Sequence, residues 1–204
     1  MKFSRQDFEV LAQENLYQGF LSVDKCSLRY KLFAGSWSPA VERELIKRSD
    51  AVAVLLYDPL LDAVILIEQF RVGAMRDEAG PWMLELVAGI FDEGESPEQV
   101  AIRESQEEAG CLLSCIQPLY RFYLSPGACT EQIHLLLARV DAAKAGGVHG
   151  LKTENEDIKV HVLPVQQAFS LLSCGQINNA ITLIGLQWLQ QNKALLQKNW
   201  LATK

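Results

Sequence analysis

Gly89-Ile90-Phe91-Asp92-Glu93-Gly94-Glu95 leads, seven residues on, into Arg103-Glu104-Ser105-Gln106-Glu107-Glu108-Ala109-Gly110-Cys111. A glycine turn thus feeds a short helix that carries Arg103, Glu104, Glu107 and Glu108 within six positions. Like charges at helical spacing repel, so such a helix is costly unless something neutralises it. A divalent cation is the natural neutraliser, and a phosphate is the natural substrate of a site built around one.

Local signals mark both ends of the helix. Ser96 is a good N-cap, Pro97 stands where proline is tolerated at the first helical position, and Gln99 completes an S-x-x-Q capping box. Gly110 is a C-terminal stop. These signals predict a helix from Pro97 to Ala109. At about 100° per residue, Ala101, Ile102, Ser105 and Ala109 form its predicted buried stripe, with Glu104 and Glu108 at one edge and Glu107 further round. Arg103 can pair with Glu107 one turn on, or fold back to Glu95 and pin the loop to the helix. Taken alone, two glutamates four apart on an Arg/Glu-rich helix would describe an ordinary solvated face.

The complete pattern resembles the Nudix box, G-x5-E-x7-R-E-U-x-E-E-x-G-U with U aliphatic. Gly89, Glu95, Arg103, Glu104, Glu107, Glu108 and Gly110 match it, whereas Ser105 and Cys111 stand where larger aliphatics are usual. Both are small enough to bury, so looser helix packing is expected rather than altered chemistry. The resemblance implies an α/β (α+β) fold, the Nudix α/β/α sandwich.

Residues 1–46 read as a small antiparallel β-sheet of about three strands, with Phe8 to Tyr17, Phe20 to Tyr30 and Lys31 to Ile46 punctuated by Gly19 and Gly35. A sheet of that size is not stable alone and should pack on the rest or on a second subunit. In residues 47–204, strands are predicted at Ala51 to Tyr57, Ala63 to Phe70, Trp82 to Ala88, Leu119 to Leu124, Ile133 to Val140 and Ile158 to Leu163. Helices are predicted at Val165 to Ser173 and Ala180 to Gln197.

The 204 residues suffice for one sizeable core, and 49% hydrophobic with 22% charged residues suits a soluble globular protein. A net charge of −6 argues against a nucleic-acid partner, though not against a nucleotide neutralised by bound metal. No apolar run approaches a membrane span and the N-terminus reads as no secretory signal, so a cytoplasmic protein without a membrane partner is expected. Five scattered cysteines, with Cys111 and Cys115 a lone C-x3-C, favour reduced thiols over a zinc site.

Further residues acquire meaning from the resemblance. Ser125-Pro126-Gly127 would ordinarily be only a turn, but Pro126 lies sixteen positions beyond Gly110, which is similar to the bacterial ADP-ribose pyrophosphatase subgroup. Glu131 falls at that subgroup's acidic position. The glycine-punctuated stretch from Gly146 to Asp157 is either a solvated loop or a mobile carrier of a catalytic carboxylate. The resemblance assigns the general base to Glu154 and a metal ligand to Glu156; physics alone does not choose Glu154 over Asp157. Arg43, Glu44, Arg48, Arg71 and Ile90 fall where the subgroup contacts substrate, and arginine's planar fork suits a diphosphate. Arg43 and Arg48 suit surface salt bridges equally well. Phe20 and Leu21 fall where the subgroup stacks on adenine, or else serve as core of the small sheet.

The implied reaction is Mg²⁺-dependent hydrolysis of ADP-ribose to AMP and ribose 5-phosphate. Two or three Mg²⁺, with Mn²⁺ a possible substitute, would sit on Glu104, Glu108, Glu156 and the Ala88 carbonyl, with Arg103, Glu107 and Glu154 in catalytic roles. The resemblance further implies a homodimer that exchanges its N-terminal sheet. Rival readings are a Nudix hydrolase for another sugar nucleotide, coenzyme A or a dinucleotide, and a non-catalytic ADP-ribose sensor.

Overall fold

The computed structural model describes residues 3–202; Met1 and Lys2 of the N-terminal region, and Thr203 and Lys204 at the other end, lie outside the described residues. The chain forms two compact units. One comprises the residues through Asp50 together with Tyr123–Gln132, and the other Ala51–Phe122 with Ile133 onward.

The first unit holds an antiparallel sheet of β1 (Phe8–Gln18), β2 (Ser22–Tyr30) and β3 (Val41–Lys47), in that order. The predicted third strand is therefore too long by ten residues at its start. Gly35, at φ 101°, turns the chain so that the Leu32 N–H donates to the Ser36 carbonyl instead of to a strand partner. Trp37 bridges back to Lys31, and the Arg29 and Lys31 cations lie 4.8 and 4.6 Å from its ring centre. β1 is solvent-exposed along its length except for half-buried Glu9.

In the second unit, β4 (Ala51–Asp58) and β5 (Ala63–Phe70) form the centre of a mixed sheet ordered β10-β11-β5-β4-β9-β8. The remaining strands on that path are β8 (Ser114–Tyr123), β9 (Gln132–Arg139), β10 (Val148–His149) and β11 (Ile158–Pro164). β4 runs parallel to β9 and antiparallel to β5. Every residue of β4 is buried, as expected of a strand covered on both faces. Ala53, Leu55 and Tyr57 face α2 (Val165–Ser173) and α3 (Ala180–Ala202), while Val52, Val54 and Leu56 join the core under α1 (Pro97–Ala109). The alternation of a single strand thus separates two cores and creates the α/β/α sandwich.

The predicted strand Trp82 to Ala88 is in fact two, β6 (Trp82–Glu85) and β7 (Val87–Ile90), pairing with β5 and β4 respectively. Between them the Leu86 N–H leaves the ladder and donates to Thr182 Oγ1 at the start of α3 (3.1 Å). This break turns the chain from one neighbour to the other and delivers Ala88 and Gly89 under α1.

Candidate active site

Helix α1 has the predicted ends. Ser96 Oγ accepts from the Gln99 N–H (3.3 Å), Gln99 Oε1 accepts from the Ser96 N–H (2.8 Å), and Pro97 occupies the first helical position. Gly110 adopts φ 63°, and Cys111 N–H reaches back to the Ser105 carbonyl, closing the helix with the bond pattern that a left-handed residue permits. The buried stripe differs from prediction. It consists of Val100, Ala101, Ser105, Glu108 and Ala109, while Ile102 is half exposed. Helical position allowed either edge; packing on β4 and β7 chose the side that puts Glu108, rather than Ile102, inside. Ser105 is fully buried, and its Oγ has no hydrogen-bond partner among the described residues.

Arg103 makes both of its expected contacts. Its guanidinium donates to both Glu95 carboxylate oxygens (3.0 and 2.8 Å), to Glu104 (2.6 Å), to the Ile90 carbonyl (3.0 Å) and, more distantly, to Glu107 (3.5 Å). Its charge holds the Glu95 carboxyl down to about 2, helped by the Asp92 N–H. Arg103 therefore fastens the glycine turn to the helix and takes part in orienting Glu104.

Glu104 and Glu108 lie one turn apart over β7. Burial pushes the Glu104 carboxyl above its ordinary value, against the pull of Arg103. Burial raises Glu108 to about 8; the Ala88 N–H, donating to Oε2 at 3.0 Å, opposes that rise, and the charges of Glu104 and Glu156 add to it. Gly89 leaves the room these groups need: a Cβ there would fall 1.7 Å from Glu104 Oε1. These are hard oxygen donors, held partly desolvated and facing too little positive charge, a set that fits a divalent cation. Among the described residues no three His, Cys, Asp or Glu side chains are drawn close enough to enclose an ion as they stand, which accords with the mutual repulsion of Glu104, Glu107, Glu108 and Glu156.

The predicted acidic loop reaches the same helix. Gly150 N–H donates to the Glu107 carbonyl (3.2 Å), and the His149 ring lies where a Cβ on Gly110 would meet it at 2.7 Å. Glu156 is half-buried and accepts from the Leu151 N–H (3.0 Å), with its charge felt at both Glu104 and Glu108. Glu154 ends a single 3-10 turn, Lys152–Glu154, and is exposed.

Arg71, just past β5, donates through Nε to Glu85 Oε2 (2.7 Å), and its charge is felt at Glu108. Glu85 was not among the sequence candidates. It sits in the apolar run before the box, where strand alternation hides a carboxylate as one more β6 residue; its only signal is an acid on a strand whose neighbours are hydrophobic.

The other sequence candidates lie in the first compact unit. Phe20 is 89% exposed, Leu21 half-buried, and Arg43 and Glu44 exposed, with Arg43 donating to the Glu42 carbonyl. Arg48 pairs with buried Glu131 (3.4 Å), and Thr130 Oγ1 bonds the Arg48 backbone in both directions (2.9 Å each). Ser125, Pro126 and Gly127 form an exposed turn whose Ser125 carbonyl accepts from the Ala128 and Cys129 N–H groups. The structure thus brings Ala88, Arg103, Glu104, Glu107, Glu108 and Glu156 together around α1, and Arg48 together with Glu131.

The NUDIX domain matches residues 47–181. An ADP-ribose pyrophosphatase of Haemophilus influenzae is 48% identical over 201 residues, covering 97% of this chain and 93% of that protein. An ADP-ribose pyrophosphatase of Escherichia coli strain K12 is 44% identical over 198 residues, covering 97% and 95%. A GDP-mannose pyrophosphatase of Escherichia coli is 35% identical over 154 residues, covering 74% and 78%.

Proposed function

The chain belongs to the NUDIX family, and on that premise we propose that it hydrolyses the diphosphate of ADP-ribose to AMP and ribose 5-phosphate. The observation that carries the chemistry is the placement of buried Glu108 and half-buried Glu104 one turn apart on α1 over Gly89, with Glu156 of the acidic loop near enough for its charge to be felt at both. The substrate rests on the two near full-length relatives named ADP-ribose pyrophosphatase.

In this reading Glu104, Glu108 and Glu156, with the Ala88 carbonyl, would hold two or three Mg²⁺, for which Mn²⁺ can substitute. Bound there, the metal supplies Lewis acidity, which lowers the pKa of water and neutralises charge on the bridging oxygen. Arg103 keeps Glu104 in place by a 2.6 Å charge-assisted bond while holding Glu95 and the glycine turn. Arg71 presents a guanidinium to the diphosphate. Glu154, exposed on a loop hinged by glycines, takes the proton from the attacking water as that oxygen bonds the adenosyl phosphorus and the bridging P–O bond breaks. Phe20 and Leu21 stack on adenine; Arg43, Glu44, Arg48, Glu131, Ile90 and the Ser125-Pro126-Gly127 turn complete the substrate site.

The same reading makes the protein a cytoplasmic homodimer with exchanged N-terminal sheets, residues 1–46 serving dimerisation and substrate contact and 47–204 carrying the hydrolase. The support is the exposure of Phe8, Val10, Leu11, Leu16 and Tyr17 along β1, an apolar strand on a three-stranded sheet too small to stand alone. Among the described residues no helix is long and apolar enough to cross a membrane. Its partner is a small nucleotide sugar rather than nucleic acid, in keeping with the net charge of −6.

The test is nucleotide release from ADP-ribose, ADP-mannose, GDP-mannose, NADH, coenzyme A and diadenosine polyphosphates, with and without Mg²⁺. Mg²⁺-dependent cleavage fastest for ADP-ribose supports the proposal. Faster cleavage of another compound keeps the mechanism but moves the specificity, and tight ADP-ribose binding without cleavage of anything replaces the enzyme by a sensor.

A further inference from the structure

Glu85 is a carboxylate that the chemistry above leaves without a role. It is 5% exposed, on β6, and burial raises its carboxyl above the ordinary range. Its two oxygens are taken separately: Oε2 accepts from Arg71 Nε (2.7 Å) and Oε1 from Asn179 Nδ2 (2.7 Å). Asn179 is itself fixed, because its Oδ1 accepts from the Ile181 and Thr182 N–H groups (3.0 and 3.1 Å) and so caps α3. Thr182 Oγ1 in turn accepts the Leu86 N–H that leaves the sheet next to Glu85. A chain of bonds runs from the start of a 23-residue helix through one carboxylate to one guanidinium.

Stability is a poor reason for this arrangement. A buried ion pair gains little over well-packed apolar residues of equal volume, and one with a half-exposed partner gains less. What the arrangement does supply is orientation. Among the described residues the Arg71 guanidinium is bonded through Nε alone, which restrains its orientation and leaves both terminal nitrogens as the fork that fits two phosphate oxygens. The Arg71 side chain is 45% exposed, so that fork is open to a ligand. The asparagine bond stops the carboxylate from swinging out with the arginine.

We propose that Glu85, braced by Asn179, is a positioning residue that aims the free edge of Arg71 at the substrate diphosphate. The inference rests on the hydrolase reading and adds to it two residues that touch no substrate. Loss of Glu85 therefore acts through Arg71, on the binding of anionic substrate more than on the fold.

The test is a double-mutant cycle with purified full-length protein, measuring Mg²⁺-dependent AMP release from ADP-ribose and the thermal midpoint of each variant. Glu85→Gln is expected to raise KM and to lower kcat/KM by about 10- to 100-fold, the range for one misdirected charge-assisted contact. Asn179→Ser keeps a capping hydroxyl on α3 but cannot reach Glu85 as the asparagine does. It should raise KM in the same direction by a smaller factor, and it stands in if Glu85→Gln fails to fold. Arg71→Ala combined with Glu85→Gln should be no worse than Arg71→Ala alone, because residues acting through one group are non-additive. Unchanged KM in both single variants, or additive losses in the pair, overturns the positioning role while wild-type cleavage leaves the hydrolase reading intact. A wild-type protein that cleaves no ADP-ribose removes both.

Discussion

Gly89→Ala is a one-carbon change whose consequence can be worked from the coordinates. The new Cβ would lie 1.7 Å from Glu104 Oε1, 1.9 Å from Cδ and 2.4 Å from Cγ. Carbon and oxygen atoms in ordinary contact sit about 3.5 Å apart or more, so the Glu104 carboxyl must retreat by roughly 2 Å. All three atoms belong to the far part of a flexible side chain, and Gly89 has no left-handed φ that a side chain would strain. The helix and β7 therefore stay, and the carboxyl swings aside, at a cost of about 0.5–1.5 kcal/mol where a χ angle ends roughly 30° off its rotamer. In doing so it weakens the 2.6 Å bond to Arg103. Activity suffers out of proportion, since misplacing a reacting or metal-holding group by about 1 Å can cost on the order of 100-fold. We expect kcat/KM for ADP-ribose to fall at least 100-fold by this reasoning, with a thermal midpoint within a few degrees of wild type. Gly73→Ala, where an added Cβ meets nothing within 4 Å, is the control and should change neither. The assay is AMP release across a Mg²⁺ titration, paired with thermal unfolding. Wild-type turnover in Gly89→Ala would refute the claim that Glu104 works from its present position. An unfolded variant would refute the claim that the side chain, not the backbone, gives way.

Three other perturbations test separate parts of the argument. Glu154→Gln should remove most turnover without weakening Mg²⁺ binding measured by calorimetry; unchanged turnover would move the base to Glu156 or Asp157. Glu108 titrates near 8 in the folded chain against about 4.5 unfolded, so the folded state binds the extra proton between those values. Its contribution to stability is full below pH 4.5 and lost as pH rises through 8. The thermal midpoint measured in chelator should accordingly fall over that window on account of Glu108, and the rise on adding Mg²⁺ should be larger at pH 8.5 than at pH 5; equal Mg²⁺ shifts at both would refute the assignment. Deleting residues 1–46 should abolish dimerisation in sedimentation and raise KM, whereas a fully active monomer would end the shared-site idea.

Ser96, Pro97, Gln99 and Gly110 determined α1 without help from the rest of the chain, because capping bonds and a left-handed stop act over four residues or fewer. The pairing of Arg103 with Glu107, one helical turn on, was legible for the same reason, and that with Glu95, eight residues back and just before the N-cap, because the intervening helix is itself locally determined. Apolar runs likewise marked β4, β5 and α2. Tertiary structure decided what depends on remote partners. Which edge of α1 turned inward was set by β4 and β7, so Glu108 went in and Ile102 stayed out. The break at Leu86 required Thr182, 96 residues away, and Glu85 acquired meaning only when Asn179, 94 residues away, met it beside Arg71. Periodicity can state that a side chain has a face, but it cannot name the group across from it. That choice belongs to packing, where a buried polar atom must find its partner wherever the fold brings one.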